Sequence, residues 1–238
     1  MENFSDILNK NEENRKNILA KLIVSGVKIP CIDGVIVSEE AEIEPSVVIL
    51  PNTQIYGKTK IYAGAEIGPN SVIEDCIVES NAKINASQCF QSEIKSGAEI
   101  GPFVRVRPDC VVGENARVGN FVELKNVIVS KGAKISHLSY IGDGSVGEDV
   151  NIGCGCATVN FDGTNKHRTV IEDGAFIGCG VNLVAPVTVG RDAFVAAGST
   201  VTEDVPENAL AIARSRQVNK DGWVEMKKPY KRMKKNGR

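Results

Sequence analysis

An aliphatic residue recurs every six positions along most of the chain, and no other feature restricts the fold so tightly. The phase runs through Val37, Ile43, Ile49, Ile55, Ile61, Ile67 and Ile73, resumes at Ile100, Val106, Val112, Val118 and Leu124, and returns at Ile171, Ile177, Leu183, Val189, Val195 and Val201. A small or aliphatic residue follows four places later, as at Val47, Thr53, Ala65, Ser71, Cys110, Ala116, Val181 and Ser199. A helix repeats near 3.6 residues and a half-buried strand at 2, so neither sustains this beat. A solenoid of short strands and sharp corners does, each hexad forming one side of a coil. The repeat therefore predicts an all-β parallel β-helix with roughly 18 residues per three-sided coil and about ten coils over residues 31–206. At ~4.8 Å per coil the prism is on the order of 45–50 Å long. Glycine follows the aliphatic residue at 68, 101, 113, 119, 142, 147, 153, 178 and 190. There it is expected to supply the unusual backbone angles of a corner.

The repeat divides the chain. Residues 1–30 lack it, and Ile18, Leu19, Leu22 and Ile23 form a stripe at helical spacing closed by Gly26, which predicts a short N-terminal helical arm. Between Asn160 and Thr169 the phase is lost around an Asp-Gly turn, so a loop leaves the prism at 160–169. Such an insertion is either a ligand contact or a neutral surface excursion. Residues 207–238 form a C-terminal segment ending in a basic tail with Lys227, Lys228, Lys231, Arg232, Lys234, Lys235 and Arg238. Runs of this kind at termini are usually solvated.

Composition narrows the function. A net charge of -2 leaves no overall electrostatic footprint for nucleic acid. No apolar run reaches the roughly 18 residues needed for membrane insertion, and the N-terminus does not read as a secretion signal, so a cytoplasmic protein is expected. Seven cysteines without a C-x-x-C pair read as reduced thiols, and two histidines cannot build a typical histidine-rich site, so no metal is expected. Gly142-Asp-Gly144-Ser-Val-Gly147 matches a dinucleotide fingerprint letter by letter. It lies inside the hexad array with no helix after it, and corner glycines explain it better.

The chemistry-bearing residues gather in the second half: Arg105, Arg107, Lys125, His137, Tyr140, Asn151, Asn160, Lys166 and Arg214. Arg107 and Lys125 stand one coil apart and should be stacked. Two stacked cations suit a phosphate, although pairing with Glu123 or Asp109 is an equally ordinary use. His137 and Asp143 occupy the third position of successive hexads, a place that should face outward near a corner. His137 is there either a bystander or a base able to take the proton an ammonium must lose before attacking an acyl group, chemistry that imidazole suits near neutral pH.

GPFVRVRP (101–108), VGNFVELKN (118–126), SHLSYIGD (136–143), VNIGCGCATVNFDGTNKHRT (150–169), LVAPVTVG (183–190), AAGSTVTEDVPENALAIAR (196–214) and DGW (221–223) together resemble the acetyltransferase half of a known bacterial family. That family is the bifunctional N-acetylglucosamine-1-phosphate uridyltransferase and glucosamine-1-phosphate N-acetyltransferase. The resemblance runs in order over nearly the whole chain beyond the helical arm. It implies a left-handed β-helix, although the general rule for parallel crossovers favours the opposite hand. It also implies a homotrimer with sites between subunits, transferring acetyl from acetyl-CoA to the amine of glucosamine 1-phosphate or a close amino-sugar phosphate without a metal. By the same resemblance His137 is the general base, and Arg107, Lys125, Tyr140 and Asn151 hold the sugar phosphate. Coenzyme contacts fall at Cys154, Asn160, Phe161, Cys179, Ala197 and Arg214.

Three departures bear on coenzyme affinity: Phe161 stands where the family has tyrosine, Cys179 replaces serine and Cys154 replaces alanine. The uridyltransferase domain is not in this sequence, so a separate uridyltransferase is an expected partner. The alternatives are the same chemistry on another amino sugar or a nucleotide-linked amine, a cysteine nucleophile at Cys154 or Cys179, and a non-catalytic trimeric partner.

Overall fold

The computed structural model describes residues 3–227. Strands of two to seven residues wind into a parallel solenoid. Ten of them stack up one face, from Val48–Ile49 to Leu210–Ala211. The other two faces join into one sheet because Glu123–Val129 and Tyr140–Val146 run unbroken around the corner between them, each pairing with strands on both faces. One coil advances by 18 residues at Ile36↔Gln54, by 17 at Arg117↔Lys134 and by 16 at Val72↔Gln88. The shorter coils explain why the six-residue beat fades between Ile73 and Ile100. Val78, Ile84, Cys89 and Ile94 continue the buried column there, with some sides shortened by one residue.

The repeat's aliphatic positions form the core. Of those that carry the phase, only Ile43 is partly exposed; the rest, with the small partners Ala65, Ser71, Ala116 and Ala193, are buried. Burying each isoleucine contributes about 1.5–3 kcal/mol, which a two-residue strand could not supply by itself. Stacking is therefore what makes each coil stable.

The glycines after the aliphatic residues serve a different end from the one expected. Only Gly68 and Gly101 of that set have positive φ. At Gly178 a Cβ would lie 2.5 Å from the Ala197 nitrogen, and at Gly153 it would lie 2.6 Å from the Cys179 nitrogen. Close approach of the next coil, not backbone conformation, excludes a side chain. The left-handed corner residues come later in each hexad and are often Asn or Asp, as at Asn52, Asn70, Asn81 and Asp75.

The N-terminal helix α1, Phe4–Val24, has 21 residues and is longer than the stripe at 18–23 suggests. The Asn3 side chain accepts the Asp6 N–H and caps it, and Leu19 seals the first coil. Arg15 pairs with Glu12 and donates to the carbonyls of Ile32 and Val35, fastening the helix to the solenoid. Ile23, placed on the apolar stripe, is instead 47% exposed. At the far end, Leu210–Ala211 pairs with Phe194–Val195, beyond the expected end of the repeat at 206. The tail from Lys228 onward lies outside the described residues. Among the described residues no helix is long and apolar enough to cross a membrane.

Candidate active site

After nine of the strands in the ten-stranded face, all but Leu210–Ala211, the chain turns through a left-handed residue, and these stack along one edge: Asn52, Asn70, Ala86, Phe103, Phe121, Leu138, Gly155, Gly180 and Gly198. Beside the last of them stand His137, Cys154, Cys179 and Ala197. Coil-to-coil hydrogen bonds fix this file, with N–H of Gly155 donating to His137 O (3.4 Å), Gly180 to Cys154 O (2.8 Å) and Gly198 to Cys179 O (2.8 Å). Arg214 closes its upper end, its Cδ 3.7 Å from where a Cβ on Gly198 would be. His137 thus sits at the foot of a bare backbone strip made by three glycines and flanked by exposed small side chains. A ligand can approach the main chain there more closely than over any bulkier residue.

His137 is exposed, as its hexad position predicts, and its Nδ1 lies 3.0 Å from Asn120 Oδ1 in the coil below. An amide oxygen only accepts, so Nδ1 carries the proton and Nε2 keeps its lone pair. Around the corner the register sets Tyr140 against Glu123, which itself stands against Arg105 one coil further down, and Lys125 against Gly142. Arg107 follows Val106, which pairs with Leu124, so Arg107 and Lys125 are stacked. Gly142 is needed for another reason as well: a Cβ there would strike the Tyr140 ring and its hydroxyl.

One of these cations, Lys125, meets a buried carboxylate. Asp143 was expected to face outward beside His137, but it is only 5% exposed. The strand Tyr140–Val146 turns its corner at this residue (φ 51°), and Asn160 folds over it. Its oxygens accept from Asn126 (2.8 Å), Asn160 (2.5 Å) and Lys125 (3.3 Å). Burial alone would raise this carboxyl, but donation from Asn126 and Lys125, with the Lys125 charge, holds it below the ordinary range. Lys166, from the loop, reaches Lys125, and the two amines perturb each other. Lys125 is raised by its hydrogen bond to the Lys166 amine and then by Asp143, while Lys166 is lowered first by that same hydrogen bond, then by the Lys125 charge and less by Arg107. Lys125, Lys166 and Arg107 in one neighbourhood, two of them already facing a carboxylate, suit an added anionic group. Arg107 itself is paired with Glu123 at 3.0 Å, one of the two ordinary partners the sequence offered.

The loop between Asn160 and Thr169 is a tight excursion. It lengthens the coil to 25 residues, as Gly144↔Thr169 records. Phe161 bridges Lys166 across it, and Asp162 accepts the N–H groups of Thr164 (2.7 Å) and Asn165 (2.6 Å) and meets His167 Nε2 at 2.7 Å. Asn160 is buried against Tyr140 and Asp143, whereas Phe161 is 56% exposed. The corner and the adjoining face therefore gather His137, Tyr140, Lys125, Arg107, Asn160, Cys154, Cys179, Ala197 and Arg214. Asn151 stands apart on the flat ten-stranded face, between Lys134 and Phe176. Sequence reasoning missed Asn120, Asn126 and the glycine strip. Each lies about one coil from a residue already singled out, so spacing was the available signal.

Two stretches of the chain, 91–126 and 168–203, match the family described as bacterial transferase hexapeptide (six repeats). Over 211 residues, 89% of its length, the chain is 53% identical to a bifunctional protein GlmU of Geobacillus sp. (strain WCH70), covering 46% of that protein. It is 51% identical to the GlmU of Exiguobacterium sp. (strain ATCC BAA-1283 / AT1b), again over 89% of its length and 47% of the relative. The chain spans about half the length of the curated relatives it matches. A Francisella novicida UDP-N-acetylglucosamine acyltransferase of known structure aligns with a TM-score of 0.49 and 21% identity, over 78% of this chain and 66% of that one. Together with the coiled architecture, the match over nearly nine-tenths of its residues identifies this chain as a hexapeptide-repeat homologue of about half of the GlmU protein.

Proposed function

We propose that the chain is an acetyl-CoA-dependent N-acetyltransferase whose acceptor is glucosamine 1-phosphate or a close amino-sugar phosphate. The observation that carries this reading is one face of the prism that has His137 and the bare glycine strip along one edge and Lys125, Lys166 and Arg107 toward the next. In this reading the thioester arm lies along Gly155, Gly180 and Gly198, touching Cys154, Cys179 and Ala197, with Arg214 above and Asn160 and Phe161 at the side. The sugar phosphate is held by Lys125, Arg107 and Tyr140, with Lys166 beside them, and Asn151 contributes from the adjoining face.

His137 Nε2 takes the proton from the acceptor ammonium. The amine then attacks the thioester carbonyl, the C–S bond breaks, and the sulfur takes up the proton that the attacking nitrogen sheds, so coenzyme A leaves as the thiol. Asn120 holds the proton on Nδ1, so the neutral imidazole presents its free Nε2 outward before it takes the ammonium proton. No covalent acetyl-enzyme is required. Among the described residues no group of three or more His, Cys, Asp or Glu side chains is placed to hold a metal. Uridyl transfer is not assigned to these residues: their one dinucleotide-like glycine motif begins inside the strand Tyr140–Val146.

The reading includes a cytoplasmic homotrimer. The ridge of Phe103, Phe121 and Leu138, each more than half exposed just below His137, is the surface a second copy would cover. The deciding experiment is release of coenzyme A thiol from acetyl-CoA across a panel of amino sugars, their 1-phosphates and their nucleotide-linked forms. Release that depends on an amino-sugar 1-phosphate is expected. A preference for a nucleotide-linked amine would move the acceptor, and no turnover across the panel would defeat the proposal.

A further inference from the structure

Six of the seven cysteines fall into two groups with different chemistry, Cys31 standing apart as a half-buried thiol near the N-terminal end. Cys76, Cys89, Cys110 and Cys156 point into the solenoid and are buried. Burial pushes the Cys76 thiol up to about 11 and that of Cys89 well above its usual value, so these side chains serve as small hydrophobes. Cys154 and Cys179 are exposed and are neighbours across one coil. The register Ile152↔Ile177 continues through Gly180 N–H donating to Cys154 O, which sets residue 154 beside residue 179. The coils are close here, because a Cβ on Gly153 would lie 2.9 Å from the Cys179 Cα. In-register residues on adjacent parallel strands are ~4.8 Å apart, inside the roughly 4.4–6.8 Å over which two cysteines can be bridged. Neither neighbouring corner residue obstructs the pair, since Gly155 and Gly180 carry no side chain.

We infer that Cys154 and Cys179 form a dithiol that a low-molecular-weight disulfide oxidises reversibly to an intramolecular bridge. In the first step one cysteine thiolate attacks a sulfur of the small disulfide, whose S–S bond breaks and releases one thiol, leaving a mixed disulfide on the protein. In the second, the other cysteine attacks the protein sulfur of that mixed disulfide, releases the second small thiol and closes the bridge. Two protein thiols are oxidised and one small disulfide is reduced to two thiols. Cys156 does not compete as the resolving group: it faces inward, and its S–H donates to Gly178 O at 3.1 Å. The consequence for catalysis rests on the proposed acetyl transfer. A bridge across the strip one coil above His137 occupies the path of the thioester arm, so oxidation closes the site to acetyl-CoA.

The thiol chemistry is tested on the full chain with oxidised glutathione. Thiol titration should show a loss of two reactive thiols. A non-reduced tryptic digest, cut after Lys166 and Arg168, should join the peptide holding Cys154 to the one holding Cys179, with no glutathione retained and full reversal by dithiothreitol. The Cys154→Ser variant should instead stop at the mixed disulfide on Cys179. Stable glutathione on both cysteines of the unaltered chain, a link through Cys156, or a link between molecules would each overturn the inference. Acetyl transfer is measured on the same samples, where oxidation should lower kcat/KM for acetyl-CoA at least tenfold, restored by reductant; a bridged protein with unchanged kcat/KM would overturn the regulatory role. Absence of transfer in the reduced protein would count against the proposed function and leave the digest result standing.

Discussion

One edge of the prism is used in two ways. In its lower coils the left-handed corner positions are Asn52, Asn70 and Ala86; in its upper coils they are Gly155, Gly180 and Gly198. The two lower asparagines tie coil to coil, Asn52 Nδ2 donating to Asn70 Oδ1 at 3.2 Å. The upper positions give up that tie and leave the backbone open. A second edge shows the same contrast at Asp75 and Asp143, both in the left-handed region. Asp75 is exposed and accepts a backbone N–H from Lys58 at 2.9 Å, an ordinary turn closure. Asp143 is buried and holds three side chains that face the candidate site. Backbone geometry is thus indifferent to function in this fold. Side-chain choice at equivalent corners decides whether a coil only stacks or also binds.

The contrast breaks most visibly at His137. His137→Ala should lower acetyl transfer about 10²- to 10⁴-fold, the usual contribution of a positioned base, while far-ultraviolet circular dichroism and the melting temperature stay near those of the unaltered chain. Asn70→Ala, at the equivalent corner below, should leave turnover unchanged. A turnover loss at Asn70 as large as that at His137 would mean that the edge acts through overall stability.

Asp143→Asn is the next largest effect. Removing the charge leaves Lys125 without its counter-ion in a largely buried place, and a cost of about 1–3 kcal/mol to unfolding is expected. The sign with pH follows from the depressed carboxyl. Its stabilisation is present above the unfolded aspartate pKa and is lost as pH falls through the lower folded value. Urea titrations should therefore show the difference between the two proteins at neutral pH shrinking below about pH 4, near the unfolded aspartate value. Asp75→Asn, tested alongside, should show a much smaller loss. Equal losses at both positions would deny Asp143 any special place.

Much of this was legible before any coordinates. Ile49, Ile67 and Val118 announce a solenoid because one face of every coil must bury an aliphatic residue, and the Asn160–Thr169 gap announces the loop because no strand position can absorb it. The stacking of Arg107 on Lys125 follows from their separation by one coil. Three things were not legible. Coils shortened by a residue shift the phase and hid Val78 through Ile94. Asp143 occupies the same hexad position as the exposed His137, and only Asn160 folding back from the loop buries it. Gly178 and Gly119 look like corner glycines, yet close contact with the next coil explains them, which depends on spacing between coils and not on local sequence.

Gly180→Asn tests the bare strip directly. Asparagine tolerates left-handed φ, and position 180 sits at 67°, so the backbone should hold at a cost of about 1 kcal/mol or less. A Cβ there meets no neighbour closer than 4.0 Å, so the new side chain lies over the strip instead of clashing with the next coil. The expected result is a rise in KM for acetyl-CoA on the order of tenfold, about 1.4 kcal/mol, with KM for the amino-sugar phosphate unchanged. A shift in both constants would place the acceptor on the strip as well, and no shift in either would remove the strip from the coenzyme path.

The smallest effect separates pairing from binding at Arg107. Glu123 and Arg107 are both about two-fifths exposed, and such a pair contributes roughly 0–1 kcal/mol. Glu123→Gln should therefore barely move the melting temperature. It also frees the guanidinium from a competing carboxylate, so KM for the amino-sugar phosphate should fall by about threefold or less, and the gain should vanish at high salt as exposed charges are screened. Arg107→Ala should change KM in the opposite direction. If both substitutions raise KM alike, the pair acts as a unit that shapes the site, and Arg107 joins Asn52 and Asn70 among the residues that hold the prism together.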